Sequence, residues 1–149
     1  MKHILATVVA AGLVLGGAAP ASAGGRHDDP LERYAADTWA SLDAMTDPGT
    51  GLPSDNITGD LSTPADYTSP TNIGGYLWST VTARDLGIIS RRDAHDRIAT
   101  TLGTLETLER NDASGMFYNW YDPATGAKLT TWPDSGDAPV AGGMDSTTS

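Results

Sequence analysis

The sequence predicts an all-α protein of three helices, in which the second and third helices form an antiparallel αα-hairpin. Three segments each begin with a residue type that caps helices, and two of these caps are followed directly by proline. Each segment then carries apolar residues at helical spacing. About three residues separate the second segment from the third, which favours antiparallel neighbours. A short β-hairpin and a disordered tail are expected after the helices.

The first helix is predicted to begin at Asp29-Pro30 and to end at Asp47-Pro48-Gly49. Its apolar residues at helical spacing are Leu31, Tyr34, Ala35, Trp39, Leu42 and Met45. Residues 47–68 then form a loop rich in Gly, Pro, Asp and Thr, and a loop this long in a compact domain is often functional. The spacing of Asp47, Asp55 and Asp60 fits no calcium cage, so we expect solvated carboxylates and no metal site.

The second helix is predicted to begin at Ser69-Pro70, with Gly87 placed for a left-handed C-terminal cap. Residues 73–83 carry no charge and include Gly74 and Gly75. Each interior glycine costs about 1 kcal/mol relative to alanine. We therefore expect packing on several sides to hold this helix, as in an inner helix.

The third helix is predicted to begin after Ser90, with Asp93 completing an acidic variant of the capping box. Ile98, Leu102, Leu105 and Leu108 form one apolar stripe, and charged residues occupy the other faces. This pattern is typical of an outer helix that is solvated on its back.

An aromatic segment follows, consisting of Tyr118, Asn119, Trp120, Tyr121 and Asp122, and the chain can return as a short strand over residues 128–132. In an extended conformation the first and third of these residues share one face, and the second and fourth share the other. An aromatic ring stacks on the C–H face of a sugar, whose hydroxyl groups need both donors and acceptors. The segment therefore suits a carbohydrate groove, although ordinary core and hairpin packing explains it equally well.

Composition excludes several classes of site and partner. The chain has 149 residues, a formal net charge of -10 and no cysteine, which excludes disulfides, thiolate nucleophiles and cysteine-based zinc sites. The acidic balance argues against nucleic acid and anionic membranes as partners. Nucleotide-binding and metalloprotease motifs are missing, so no cofactor is expected.

The amino terminus reads as a signal peptide over residues 1–23. Lys2 precedes an apolar run over residues 4–19, and Ala21-Ser22-Ala23 is the small-residue pattern of a cleavage site. We expect cleavage after Ala23, a flexible lead-in over residues 24–28 and a secreted, extracellular product that has no membrane segment after cleavage. The alternative is an N-terminal helix that tethers the protein to a membrane.

Four stretches of the sequence resemble the motifs of a known family. The stretches Thr68-Ser69-Pro70-Thr71-Asn72-Ile73-Gly74 and Ala83-Arg84-Asp85-Leu86-Gly87 are similar to the TSPTNIG and AARDLG signatures of bacterial glucoamylase-like proteins, which include endo-β-1,2-glucanases of glycoside hydrolase family 144. Residues 115–122 resemble the family's G-x-FYNWYD motif, and residues 50–55 resemble its T-G-L-x-x-D stretch. The resemblance covers roughly residues 30–140.

The resemblance implies a partial (α/α)₆ toroid, in which inner helices ringed by outer helices surround a substrate cleft. It implies that Asp55, Thr68, Asn72, Tyr118, Asn119, Trp120, Tyr121 and Asp122 face this cleft and bind a β-linked glucan. Acidic residues would act as acid and base in such an enzyme, but the catalytic pair stays unknown.

The chain departs from the family pattern after Val140, where residues 141–149 form a divergent, disordered tail. Three helices cannot close a twelve-helix ring, so residues 29–140 are interpreted as the N-terminal part of a hydrolase domain, truncated or frameshifted and weakly active or inactive. Helix two would then present Tyr76, Leu77, Trp78 and Val81 to absent partners, which predicts self-association. Two alternatives are a non-catalytic carbohydrate-binding module and a domain completed by a separate chain.

Overall fold

A computed structural model describes residues 29–131, and within this range the chain forms three α-helices. Helix α1 spans Pro30–Ala44, α2 spans Pro70–Asp85 and α3 spans Arg91–Thr107. The predicted helix number and order are confirmed. The predicted signal peptide, lead-in and divergent tail lie outside the described residues.

Each helix begins at its predicted cap. The Asp29 carboxylate accepts a hydrogen bond from the Leu31 N–H at 2.9 Å, and the Ser90 hydroxyl accepts one from the Asp93 N–H at 3.0 Å. The Ser69 hydroxyl caps α2 in the same way. These bonds satisfy N–H groups that have no partner within their own helix. At the other end of α2, Gly87 has φ +74, the left-handed conformation predicted for it.

Helix α2 lies between the other two helices and packs against both. One core cluster joins α1 to α2 through Trp39, Tyr76 and Ala83. The other joins α2 to the loops through Leu52, Ile73, Leu108, Tyr118 and Tyr121. The prediction that Tyr76 is exposed is wrong, because its ring stacks on Trp39 at a centroid distance of 6.1 Å and is buried. Packing holds α2 on one face only, since Thr71, Gly74, Gly75 and Trp78 are exposed.

The guanidinium of Arg97 links α3 to α1. It donates to Asp43 of α1 at 2.6 Å and to Asp93 of α3 at 2.8 Å, and it lies 5.4 Å from the centroid of the Trp39 ring. Burial lowers the pKa of Arg97, but hydrogen bonds to Tyr76, Asp93 and Asp43 outweigh burial and raise it overall. The charge is therefore fixed at all ordinary pH values.

One loop geometry occurs three times, at residues 47–51, 111–115 and 122–126. In each loop the first residue (Asp47, Asn111 or Asp122) accepts, through its side-chain oxygen, the N–H groups two and three residues later. Its carbonyl accepts the N–H of the closing glycine, which has φ between +68 and +72. The residues before and after each loop pair as an antiparallel bridge. Each loop is therefore closed by hydrogen bonds between residues of that loop.

Antiparallel pairing within residues 29–131 consists of isolated bridges outside any regular strand. The predicted β-hairpin is therefore not confirmed. In its place a single bridge pairs Tyr121 with Lys128 around the third loop. Among the described residues, no helix is long and apolar enough to cross a membrane.

Candidate functional site

The candidate site forms where the segment before α2 meets the aromatic segment after α3. Thr68 and Tyr121 exchange both backbone hydrogen bonds, at 2.9 and 3.0 Å. Residues paired in this way point to the same face, and both of these side chains are fully buried. Because alternate residues of an extended chain point to opposite faces, Tyr67 and Trp120 lie on the outward side.

Tyr67 and Trp120 form an aromatic corner. Their ring centroids are 5.5 Å apart and their planes meet at 83°. Both side chains are half-buried. In an edge-to-face pair the edge of one ring lies against the face of the other, so the two ring planes stand at right angles and a partly apolar ligand can stack on a remaining ring face.

Three polar side chains stand beside the corner. The Asn72 amide donates to the Asp55 carboxylate at 2.6 Å, and the Asn56 amide donates to the Tyr67 hydroxyl at 3.1 Å. The Asp55 N–H also donates to the Tyr67 carbonyl at 2.8 Å, which fixes the loop against the aromatic pair. Residues 55, 67, 72 and 120 are therefore brought together from three separate parts of the chain.

Tyr118 and Tyr121 belong to the core. The Tyr121 hydroxyl donates to the Glu109 carbonyl at 2.7 Å and accepts from the Tyr118 N–H at 2.8 Å. Burial raises the pKa of the Tyr121 phenol. The predicted shared face of Tyr118 and Trp120 is not observed, because the backbone bends at Asn119 and turns Tyr118 inward while Trp120 packs on Tyr67.

The remaining predicted site residues have distinct surroundings. Asn119 is half-buried next to Trp120 in the chain. The carboxylate of Asp122 accepts the N–H groups of Ala124 and Thr125, so it shapes the loop that follows the aromatic segment. Thr68 has a buried hydroxyl oxygen without a hydrogen-bond partner among the described residues. An unpaired buried hydroxyl is uncommon in proteins.

Sequence reasoning missed two residues of the site, Tyr67 and Asn56. Tyr67 immediately precedes the recognised motif at Thr68, and the period-2 alternation of an extended chain already places it on the opposite face. Asn56 follows Asp55 in the loop, but no local pattern distinguishes it from the other polar loop residues. Its contact with Tyr67 depends on the loop folding back.

No cluster of three or more His, Cys, Asp or Glu side chains within residues 29–131 is arranged to hold a metal ion. The carboxylates of the loop instead accept hydrogen bonds from residues of the same loop. Asp47 closes the first repeated loop, and Asp60 accepts hydrogen bonds from the Thr58 and Ser62 hydroxyls. The bond from Thr58, followed by those from Ser62, lowers the pKa of Asp60.

Two known proteins are similar to part of this chain, one in sequence and one in fold. The chain is 34% identical over 98 residues to the cyclic beta-(1,2)-glucan synthase NdvB of Rhizobium meliloti, an alignment that covers 62% of this chain and 3% of the synthase. Its fold is similar to a crystal structure from Bacteroides fragilis assigned as a glucoamylase, with a TM-score of 0.56 and 24% identity. That match covers 74% of this chain and 27% of the other. The chain thus spans a small part of each relative.

A family model also matches residues 33–143 and is described as a protein of unknown function, DUF3131. The match includes all three helices except the first turn of α1, the aromatic corner and its polar neighbours. The chain belongs to the DUF3131 family.

Proposed function

We propose that this chain is a glucan-binding unit of the glycoside-hydrolase type. The observation that carries the proposal is the right-angled pair of Tyr67 and Trp120 with the Asp55–Asn72 hydrogen bond beside it. The names of the two relatives, a glucan synthase and a glucoamylase, support a glucan as the ligand.

The site suits a sugar ring in two respects. The C–H face of a pyranose can stack on Trp120 or Tyr67 with little loss of solvation, and its hydroxyl groups can donate to the Asp55 carboxylate. The amides of Asn56, Asn72 and Asn119 can both donate and accept. Hydrogen bonds to a charged group contribute about 1.5–3 kcal/mol, so Asp55 is the main polar determinant of the proposed site.

Four members of the predicted site support the others. Thr68 and Tyr121 join the two segments through their backbone pair, and Tyr118 anchors the bend at Asn119 from the core. Asp122 holds the loop that follows. In this proposal these four residues position the sugar-contacting groups and do not touch the sugar.

The finer proposal is that the ligand is a β-linked glucan, with β-1,2 linkage as the first to test. We also propose that the three helices are one part of an (α/α)₆ ring and that the protein is secreted after loss of residues 1–23. Most glycoside hydrolases use two carboxyl groups about 5–10 Å apart across the scissile bond. We assign no such pair, so the proposal is binding with weak or no turnover.

Calorimetry with linear β-1,2-glucan tests this proposal. The parent chain should bind, and Trp120→Ala and Asp55→Asn should each weaken binding at least about tenfold, equivalent to about 1.4 kcal/mol. Asp112→Asn is the matched control, since it removes one carboxylate charge from an exposed loop elsewhere. Its affinity should equal that of the parent.

Two outcomes would contradict the proposal. Absence of heat with the β-1,2-glucan and with other β-glucans would remove a glucan as the ligand. Equal loss of affinity in all three variants would show a general charge or folding effect in place of a defined site. Release of reducing ends by the parent chain would instead show that it retains turnover.

A further inference from the structure

Residues 55–67 form an arm that begins and ends beside the aromatic corner. At its base the Asp55 N–H donates to the Tyr67 carbonyl at 2.8 Å, and the Asn56 amide donates to the Tyr67 hydroxyl at 3.1 Å. Residues 58–64 are all exposed, so no other described part of the chain covers the outer half of the arm. The arm therefore adjoins the proposed glucan site and is open to a ligand bound there.

The tip of the arm is held by one carboxylate oxygen. Oδ1 of Asp60 accepts the Thr58 hydroxyl at 2.6 Å, the Ser62 hydroxyl at 2.8 Å and the Ser62 N–H at 3.1 Å. Leu61, which lies between these residues, has φ +60, a left-handed conformation that is strained for leucine. Strain of this kind persists only where the surrounding structure fixes the backbone, and it is common at ligand sites. The tip is therefore a preorganised structure although it is exposed.

One face of the arm carries polar side chains that continue from the corner. Alternate residues of an extended chain point to the same side, so Thr58 lies on the side of Asn56, whose amide contacts the corner. Thr63 lies opposite Thr58, because the adjacent residues 57 and 64 pair as an antiparallel bridge, and residues directly opposite share a face. This polar face runs from the corner to the tip.

The outer end of the polar face offers an acceptor to a ligand. Within residues 29–131 the three hydrogen bonds at the tip all use Oδ1 of Asp60, which leaves Oδ2 to accept from a ligand hydroxyl. Because Asp60 bonds to Thr58, it lies about 10 Å from Asp55, at about 3.3 Å per residue of extended chain. A sugar that stacks on the corner beside Asp55 therefore leaves Asp60 to a neighbouring sugar of the same chain.

We propose, on the basis of the glucan binding proposed above, that the polar face of the arm is a second sugar subsite, with Asp60 as its charged acceptor. One sugar stacks on the aromatic corner, and the next sugar of the chain lies along the arm. The hydroxyl, amide and carboxylate groups of this face match the donors and acceptors of a sugar. The site therefore takes an oligosaccharide in preference to a single sugar.

Calorimetry of the full chain with two ligands of different length tests this subsite. The ligands are a linear β-1,2-linked glucose tetrasaccharide and methyl β-glucoside, whose weaker binding is measured by competition with the tetrasaccharide. The parent should bind the tetrasaccharide at least about tenfold more tightly than the glucoside. Asp60→Asn should lower the tetrasaccharide affinity at least about tenfold and leave the glucoside affinity unchanged. Asparagine keeps an Oδ1 acceptor for the tip and replaces Oδ2 with a donor.

A second arm variant and two controls complete the test. Thr63→Val keeps the branched shape and every bond to Asp60, and should lower only the tetrasaccharide affinity, at least about threefold. Asp112→Asn makes the same charge change in an exposed loop elsewhere and should leave both affinities unchanged. Trp120→Ala should weaken both ligands.

Three results would overturn the subsite. Unchanged tetrasaccharide affinity in either arm variant, while Trp120→Ala still weakens both ligands, would remove the arm and leave the corner as the glucan site. An equal fall in both affinities in Asp60→Asn would show that the arm only supports the corner. Absence of binding of both ligands to the parent would contradict the proposed β-1,2-glucan binding itself, and the subsite with it.

Discussion

Replacing Thr68 with valine should make the protein more stable. The Thr68 side chain is fully buried, and its hydroxyl oxygen has no hydrogen-bond partner among the described residues. A buried hydroxyl without a partner costs about 1–3 kcal/mol. Valine keeps the branched shape, removes that cost and adds a methyl group worth up to about 0.8 kcal/mol of burial. We expect a gain of about 1–2 kcal/mol in the free energy of unfolding.

Thr101→Val is the matched comparison, because it makes the same chemical change at another fully buried position. The Thr101 hydroxyl donates to the Gly51 carbonyl at 2.8 Å and lies 3.0 Å from the Arg97 carbonyl. Its loss leaves the buried Gly51 carbonyl without that donor, which should cost about 1–2 kcal/mol. The two variants should therefore differ from each other by about 2–4 kcal/mol, with the parent between them.

Urea unfolding followed by tryptophan fluorescence measures this difference. With a slope of about 1–3 kcal/mol per molar urea, the midpoints of the two variants should lie at least about 0.7 M apart. All samples need one protein concentration, because self-association adds to apparent stability. A Thr68→Val midpoint below that of the parent would refute the reasoning, since it would show that the hydroxyl has a partner on which the fold depends.

Three further results are expected. Gly51→Ala should cost several kcal/mol and Gly115→Ala only about 1 kcal/mol in urea unfolding, because both have positive φ but only the Cβ at residue 51 would lie 2.7 Å from the Thr101 hydroxyl. Arg97→Met should lower the free energy of unfolding by about 1–3 kcal/mol, because it removes the ion pair that joins α3 to Asp43 of α1. Arg92→Met should lower it by less than about 0.5 kcal/mol, because that side chain is 92% exposed. The folded-state pKa of Tyr121 is raised, so its contribution to stability is complete below about pH 10 and falls as pH rises through the folded-state value. In alkaline buffers, Tyr121→Phe should therefore lose a smaller part of its neutral-pH stability than the parent chain does, as measured by circular dichroism.

The helices could be predicted from sequence because their signals are local. Asp29, Ser69 and Ser90 each cap within three residues, and Gly87 ends α2 with its own backbone. Such signals need no knowledge of the rest of the chain. The starts of all three helices were therefore predictable to within one residue.

The surroundings of the aromatic residues could not be predicted, because they depend on distant partners. Tyr76 is buried against Trp39, which lies 37 positions earlier in the chain. Tyr121 is held by a hydrogen bond from its hydroxyl to the Glu109 carbonyl and by its backbone pair with Thr68. Alternation alone placed Tyr118 and Trp120 on one face, but the bend at Asn119 breaks the alternation. The corner of Tyr67 and Trp120 likewise depends on a contact across 53 positions.

The three self-closed loops bear on the order in which the molecule assembles. The hydrogen bonds that the first residue of each loop, at 47, 111 or 122, accepts from within its own loop join atoms no more than four positions apart. Structures this local arise on the timescale of a hairpin, about 1–10 μs, long before distant segments meet. These three loops can therefore form before the chain collapses. The later search for the native state then concerns how the three helices are arranged between loops that are already formed.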